Sequence, residues 1–474
     1  MTRAPSPVLL DTLATLLGPK GFSRDADVMA PWLTDWRGKY HGAAAAMLSP
    51  ATTEQVAEIV RLCAAENVAL VPQGGNSGMV GGATPDTDGN QILLSLRRLN
   101  RIREVDATAG IAVVEAGVIL ENFHTAALDR GLRFPLTLGG KGSATIGGLV
   151  STNAGGTQVL RHGTMRALLA GVEAVLPDGS IFDGLAPLKK DNRGYDLRHL
   201  LCGAEGTLGV VTAASLRMVP ASAARQTAWI GLDSPDAALL LLRRLDAAIG
   251  NPLEGFEIIP ETCLDAVLRH IPQTRRPLAE PHRWYALIEL AGDDHDALGA
   301  ALENELAAAI DAGLIGDVAI AKNDRESEDF WRLRDSISEA ERAEGPALQH
   351  DVSVPVDRMP RFIAENPGRL DAAFPGTRAL SFGHLGDGNI HHHIQPPVGA
   401  DGADWITTHG EAASRLIYAH VIELGGSISA EHGIGQMKRD ILAELDSPAR
   451  LSALRAIKSG LDPAGLFNPG KLIA

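Results

Sequence analysis

The sequence predicts an α+β protein of more than one domain, on three observations. At 474 residues the chain is too long for a single core. Short strand candidates in its first 220 residues are punctuated by three glycine-rich blocks. Residues 221–330, where glycine thins out, alternate strand-like and Ala/Leu-rich helical stretches, as a separate α+β domain does.

In chain order, a helix is expected over residues 52–70, starting at a Thr cap (Thr53-Glu54-Gln55-Val56) and leading into the strand Ala69-Leu70-Val71-Pro72. The first glycine block follows, Gln73-Gly74-Gly75-Asn76-Ser77-Gly78-Met79-Val80-Gly81-Gly82. Strands are then expected at Ile92–Leu96 and Ile111–Gly117. The second block spans Leu138 to Gly156, and the third runs Gly203-Ala204-Glu205-Gly206-Thr207-Leu208-Gly209. The chain closes on a turn, Leu466-Phe467-Asn468-Pro469-Gly470-Lys471, after a final helix.

Apolar content of 45% and charged content of 21% describe an ordinary globular protein. The formal charge, 43 − 58 = −15, argues against a nucleic-acid footprint and against adsorption to anionic lipid. Cys63, Cys202 and Cys263 are far apart and form no C-x-x-C pair, which fits reduced thiols and a cytoplasmic protein. The richest apolar run, Ala237–Leu242, enters Arg243-Arg244 well short of the roughly 18 residues a membrane helix needs. Asp11 interrupts the first apolar stretch and no small-residue cleavage site follows, so no signal peptide is expected.

Glycine lets backbone N–H groups approach a ligand closely, and successive amides form anion-binding nests, so a diphosphate is the natural guest of the three blocks. Neither G-x-G-x-x-G nor G-x-x-x-x-G-K-[ST] is present. The densest chemistry lies later, in His384-Leu385-Gly386-Asp387-Gly388-Asn389-Ile390-His391-His392-His393. A two-residue Asp387-Gly388 turn would set His384 directly opposite His391, with Cβ atoms roughly 4.5–5.5 Å apart on one face. Two imidazoles so placed can share a metal ion. Alternation puts His393 on that face and turns His392 to the other, as an outward bystander.

Here the residues carry a resemblance. Pro72–Gly78, Ile146-Gly147-Gly148 with Asn153-Ala154-Gly155-Gly156, Gly203–Gly209 and Asn468–Lys471 resemble the FAD-binding pattern of the vanillyl-alcohol oxidase flavoprotein superfamily. Lys190–Leu197, Gly383–Asn389 and Ala430-Glu431-His432-Gly433 narrow the match to its D-2-hydroxyglutarate and D-lactate dehydrogenase group, from about residue 40 to the end. The resemblance implies an FAD domain over 1–220 (core about 42–220), a substrate-binding cap over 221–420, and a C-terminal segment, 421–474, returning to the flavin. The implied FAD contacts are Pro72, Gly74, Gly75, Asn76, Ser77, Gly78 and Met79 in the first loop, and Pro135, Leu138, Gly139, Ser143, Ile146, Gly147, Gly148, Ser151, Asn153, Gly155 and Gly156 in the second. Glu205, Gly206, Gly209, Val210 and Asn468 complete them. Some relatives attach the flavin through His or Cys; none stands in the first loop, so the FAD is expected to be dissociable.

The resemblance also makes Glu431 the carboxylate that joins His384 and His391 in a divalent metal site. Zinc suits these ligands, with manganese and iron open. His432 is the expected general base, since an imidazole of pKa near 6.5 can take the substrate hydroxyl proton at neutral pH. In Phe330-Trp331-Arg332-Leu333-Arg334-Asp335-Ser336-Ile337-Ser338, the i+4 spacing places Arg334 and Ser338 on or beside a buried helix face. Arg334 there wants an anion, either a substrate carboxylate or an internal partner. The family's hydroxyglutarate enzymes commonly have Lys where this chain has Gln349, and often Asn where it has His393. Those two residues are the remaining candidate substrate contacts, and D-lactate or another D-2-hydroxy acid stays open beside D-2-hydroxyglutarate.

The expected partners are a small 2-hydroxy acid and an electron acceptor (electron-transfer flavoprotein, quinone or cytochrome), with a homodimer as the default oligomer. A flavin-binding subunit of a multisubunit glycolate-oxidase-like complex, without its own activity, is the alternative. It should lack the base and the ligands, which this chain keeps.

Overall fold

The computed structural model describes residues 3–473. It divides into two compact units, the first made of residues up to Gly156, Gly163–Ala221 and Glu431 onward, the second of Thr157–His162 and Ser222–Ala430.

In the first unit, a four-stranded sheet runs Phe22–Ser23, Ala46–Leu48, Ile92–Ser95, Leu70–Gln73, its last three strands parallel. A five-stranded antiparallel sheet runs Ile102–Asp106, Ile111–Glu115, Val210–Arg217, Leu169–Val175, Ile181–Gly184. The helix Thr53–Glu66 feeds the edge strand of the parallel sheet. Its cap is Thr52, one residue earlier than expected, whose hydroxyl accepts from the Gln55 N–H. Val56, Ile59, Val60 and Cys63 form its buried stripe, packed with Leu48, Leu70 and Leu94. Asn67, in the left-handed region at φ 56°, stops it before residue 70 and turns the chain into the strand. The last turn closes on the same strand: Leu70 N–H donates to the Leu466 carbonyl (2.8 Å) and Asn468 N–H to the Leu70 carbonyl (2.8 Å).

The second unit is one seven-stranded antiparallel sheet with helices on it. Its strands are β1 (Ala224–Leu232), β2 (Leu253–Pro260), β3 (Trp284–Gly292), β4 (Asp317–Ile320), β5 (Leu348–Ser353), β6 (Arg378–His384) and β7 (Asn389–Gln395), in spatial order β4-β1-β3-β2-β6-β7-β5. Helices α1 (Asp324–Asp335) and α2 (Ile337–Glu344) lay Phe330, Leu333, Ile337 and Ala340 against Trp229, Tyr285 and Phe382 of the sheet. The Asn323 side chain caps α1, with Asp324 and Glu326 in the first turn and Arg332 and Arg334 in the last, the polarity a helix dipole favours. The helix α3 (Gly402–Glu423) spans the domain boundary expected at 420/421, and the second unit runs on to Ala430.

Candidate functional site

The glycine blocks meet in the first unit, and packing explains some of their glycines. A Cβ on Gly74 would lie 2.1 Å from Thr145 Oγ1, and one on Gly75 would lie 1.7 Å from the Ser143 carbonyl oxygen. These two glycines press the first loop onto the second. Gly147 meets Ala116 in the same way, Gly156 meets Thr137, and Gly206, at φ +70°, meets Pro72. By contrast, a Cβ on Gly78 or Gly139 would touch no protein atom within 4 Å. Those are the positions where a ligand can approach bare backbone.

Asn468 ties the blocks together. Its Nδ2 donates to the carbonyls of Gly82 (2.8 Å) and Glu205 (2.7 Å). Its Oδ1 is buried without a partner, as is Thr145 Oγ1. Two orphaned polar atoms beside glycine-lined backbone are what a polar cofactor would satisfy, so these residues fit an FAD. Glu205, itself at φ 51°, accepts the N–H groups of Ile434 and Gly435, both at 2.7 Å. Its burial raises its carboxyl pKa, and those two N–H groups oppose the rise. Asn153 serves the fold: at φ 51° it ends the helix Ile146–Thr152, and its Oδ1 accepts from Thr164 Oγ1 and Arg166 N–H. The Ser151 carbonyl accepts the Glu205 N–H, and Pro135 and Val210 are buried. Ser77, Met79, Leu138 and Gly148 are half-buried, Ser143 is exposed, and Gly155 is buried.

In the second unit the histidine hairpin departs from the expected register. β6 ends at His384 and β7 starts at Asn389, so the connection is the four residues 385–388. His384 opposes Asn389, and His391 opposes Phe382. Asp387 does not adopt positive φ, as a two-residue type I′ turn would require; only Gly388 does, at +80°. The shift is by two residues, an even number, so the faces survive: His384, His391 and His393 still point to one side of the sheet. His384 and His391 are diagonal neighbours with ring centroids 5.5 Å apart. Glu431 follows directly on Ala430, whose N–H donates to the Asp351 carbonyl. Glu431 and His432 belong to the first unit, and His384, His391 and Asp351 to the second. Asp387 is a turn residue, its Oδ1 accepting the Asn389 N–H at 2.9 Å. His392 does face the other way, but it is wholly buried rather than outward, with Ser381 Oγ at 2.8 Å from its Nδ1.

The substrate-side candidates separate. Arg334 takes an internal partner: its Nε donates to Glu257 Oε2 at 2.8 Å. Ser336 closes α1 and also stands at the N-cap of α2, so Ser338 lies on a second helix and is exposed. It does not share Arg334's helix face, because i+4 spacing holds only within one continuous helix. Gln349 and His393 are directly opposed across β5 and β7 and share a face. His393 Nδ1 sits 2.5 Å from the buried Glu341.

Sequence reading missed three carboxylates here, Glu257, Glu341 and Asp351. Glu257 carried a faint signal, as the charged residue in the apolar run Gly255-Phe256-Glu257-Ile258-Ile259. Burial pushes its pKa up, but the Arg334 guanidinium and His384 outweigh burial and hold it at about 2.

Residues 221–472 match the family model described as FAD linked oxidases, C-terminal domain, and residues 44–184 match the FAD binding domain. The chain belongs to the FAD-linked oxidases. As a member of that family it is an FAD-dependent dehydrogenase, with the two-domain α+β fold of the vanillyl-alcohol oxidase superfamily. It is 37% identical over 474 residues to the D-2-hydroxyglutarate dehydrogenase, mitochondrial, of Bos taurus, covering 99% of this chain and 84% of that relative. It is 36% identical over 458 residues to the protein of the same name in Arabidopsis thaliana, covering 97% of this chain and 80% of the relative. The solved p-cresol methylhydroxylase aligns with a TM-score of 0.74 at 15% identity, covering 98% of this chain and 96% of that one, a likeness of fold.

The names of these relatives overturn the cytoplasmic expectation: both are called mitochondrial. The three cysteines that suggested it are free and buried, and buried thiols say nothing of the compartment. Among the described residues, no helix is long and apolar enough to cross a membrane.

Proposed function

We propose that this FAD-linked oxidase oxidises a D-2-hydroxy acid of the D-2-hydroxyglutarate or D-lactate type to the 2-oxo acid. The His384–His391 pair on one face of the sheet, with ring centroids 5.5 Å apart, carries this reading, because it offers two metal ligands, and the sequence neighbours Glu431 and His432 are proposed to supply the third ligand and the base. A divalent metal, zinc by ligand type, would be held by His384, His391 and Glu431 and would polarise the substrate's hydroxyl and carboxylate oxygens. Bound FAD supplies the hydride acceptor. His432 takes the hydroxyl proton. Arg334 lends positive charge near the ligands, its NH2 group standing 3.3 Å from His384 Nε2. Gln349 and His393 are the substrate contacts that distinguish this chain, and Ser338 is a weaker candidate. The flavin is non-covalent, and its electrons pass to an electron-transfer flavoprotein, a quinone or a cytochrome. A homodimer is the oligomer we propose.

The test is anaerobic flavin bleaching against D- and L-2-hydroxy acids, before and after chelation. The reading expects reduction by D acids only, lost with chelator and restored by zinc or manganese. His432→Ala should abolish flavin reduction and leave the FAD spectrum intact. Wild-type single-turnover reduction in that variant would remove His432 from its role.

A further inference from the structure

We propose that Glu257 is the positioning residue of this site, one buried carboxylate that sets both the tautomer of His384 and the place of Arg334. The inference rests on the metal reading above and extends it to a residue on another strand. Glu257 lies on β2 and His384 on β6, and the two are register partners, so the ladder itself places their side chains together. His384 Nδ1 stands 2.5 Å from Glu257 Oε1, and the other carboxylate oxygen accepts from Arg334 Nε. Glu257 is 1% exposed and has no solvent of its own to turn to. A carboxylate so buried is tolerated only when donors fill it, and here two cationic or N–H partners do.

Two contacts fix the same tautomer independently. An ionised carboxylate only accepts, so the nitrogen facing it, Nδ1, must carry the hydrogen. A guanidinium only donates, so the nitrogen facing Arg334 NH2, Nε2, must offer a lone pair. His384 is thereby held with its lone pair on Nε2, the nitrogen that can act as a ligand. A carboxylate or carbonyl behind a histidine does this for metal sites generally, and its loss weakens metal affinity by about 10–100-fold.

The discriminating change is Glu257→Gln, which keeps size and shape. Its amide oxygen can stay on Arg334 Nε, but its NH2 group then faces Nδ1 and forces the hydrogen onto Nε2. The flavin-loaded variant should keep its FAD content and spectrum. Zinc chloride binding, measured by equilibrium dialysis with metal analysis, should weaken by about 10–100-fold. Glu257→Asp, which restores an acceptor-only carboxylate, should recover part of that loss. Zinc binding by Glu257→Gln as tight as wild type would overturn the proposal while leaving the metal reading standing. Absence of zinc and manganese binding in the wild type would instead bring down the metal reading, and the proposal with it. Should the variant not fold, nitrogen-15 histidine spectra of the wild type, with His384 assigned through His384→Gln, decide the matter. They should show Nδ1–H, and an Nε2–H tautomer would overturn the assignment.

Discussion

At the scale of single residues, glycine in this chain does two different jobs. Gly75 is glycine because the Ser143 carbonyl stands where its Cβ would be, whereas Gly78 faces open space. Gly75→Ala should therefore destabilise the protein itself by about 1–3 kcal/mol, the usual cost of overpacking. Gly78→Ala should leave the thermal midpoint of the apoprotein unchanged and lower FAD affinity. Calorimetry and flavin titration on both variants check this; equal losses of apoprotein stability would remove the distinction. The roles of Glu257 and Glu341 were invisible at this scale. Their histidine partners are 127 and 52 residues away, and no local pattern encodes a contact made across strands and helices.

At the scale of elements, the hairpin shows which part of a strand argument is robust. Alternation depends on the chain alone, so the shared face of His391 and His393 was readable, and His384 joins it because the register moved by an even number. Register depends on the turn, and the turn took four residues because Asp387 spends its side chain on the Asn389 N–H. Gly388, at φ +80° with the Val354 carbonyl 2.1 Å from where a Cβ would sit, anchors that turn. Gly388→Ala should cost stability and reduce zinc uptake together; unchanged uptake would show that the turn does not position the ligands. On the opposite face, burial first, then His350, His393 and His420, push His392 well below its ordinary pKa. The folded protein then refuses a proton that the unfolded chain accepts below about pH 6.5. Stability from this group is intact above that pH and falls as pH drops below it. Replacing His392 by Gln should cost less at pH 5 than at pH 8 in denaturant titrations. A pH-independent cost would show that His392 does not titrate on unfolding.

At the scale of the whole molecule, flavin-type motifs spread over nearly 400 residues converge within one unit. Asn468 is the clearest staple, bonded to Gly82 and Glu205 across 386 and 263 positions. Asn468→Ala leaves those two carbonyls short of a donor, which should cost about 1–3 kcal/mol and lower FAD affinity together. Thermal melts with and without added FAD would show it. With the flavin held by such contacts, acid denaturation should release it completely; flavin remaining on the polypeptide would overturn the non-covalent reading.

The sequence by itself determined the α+β class, the glycine-rich loops, the family and the common face of His391 and His393. These follow from backbone freedom at glycine and from the two-residue period of a strand, both local properties. Only the tertiary structure decided which glycines yield to packing, that His391 pairs with Phe382 instead of His384, and that Arg334 and His384 share Glu257. Those outcomes are set by which strands become neighbours and how closely helices seat on them, and such contacts join positions that the linear order keeps apart.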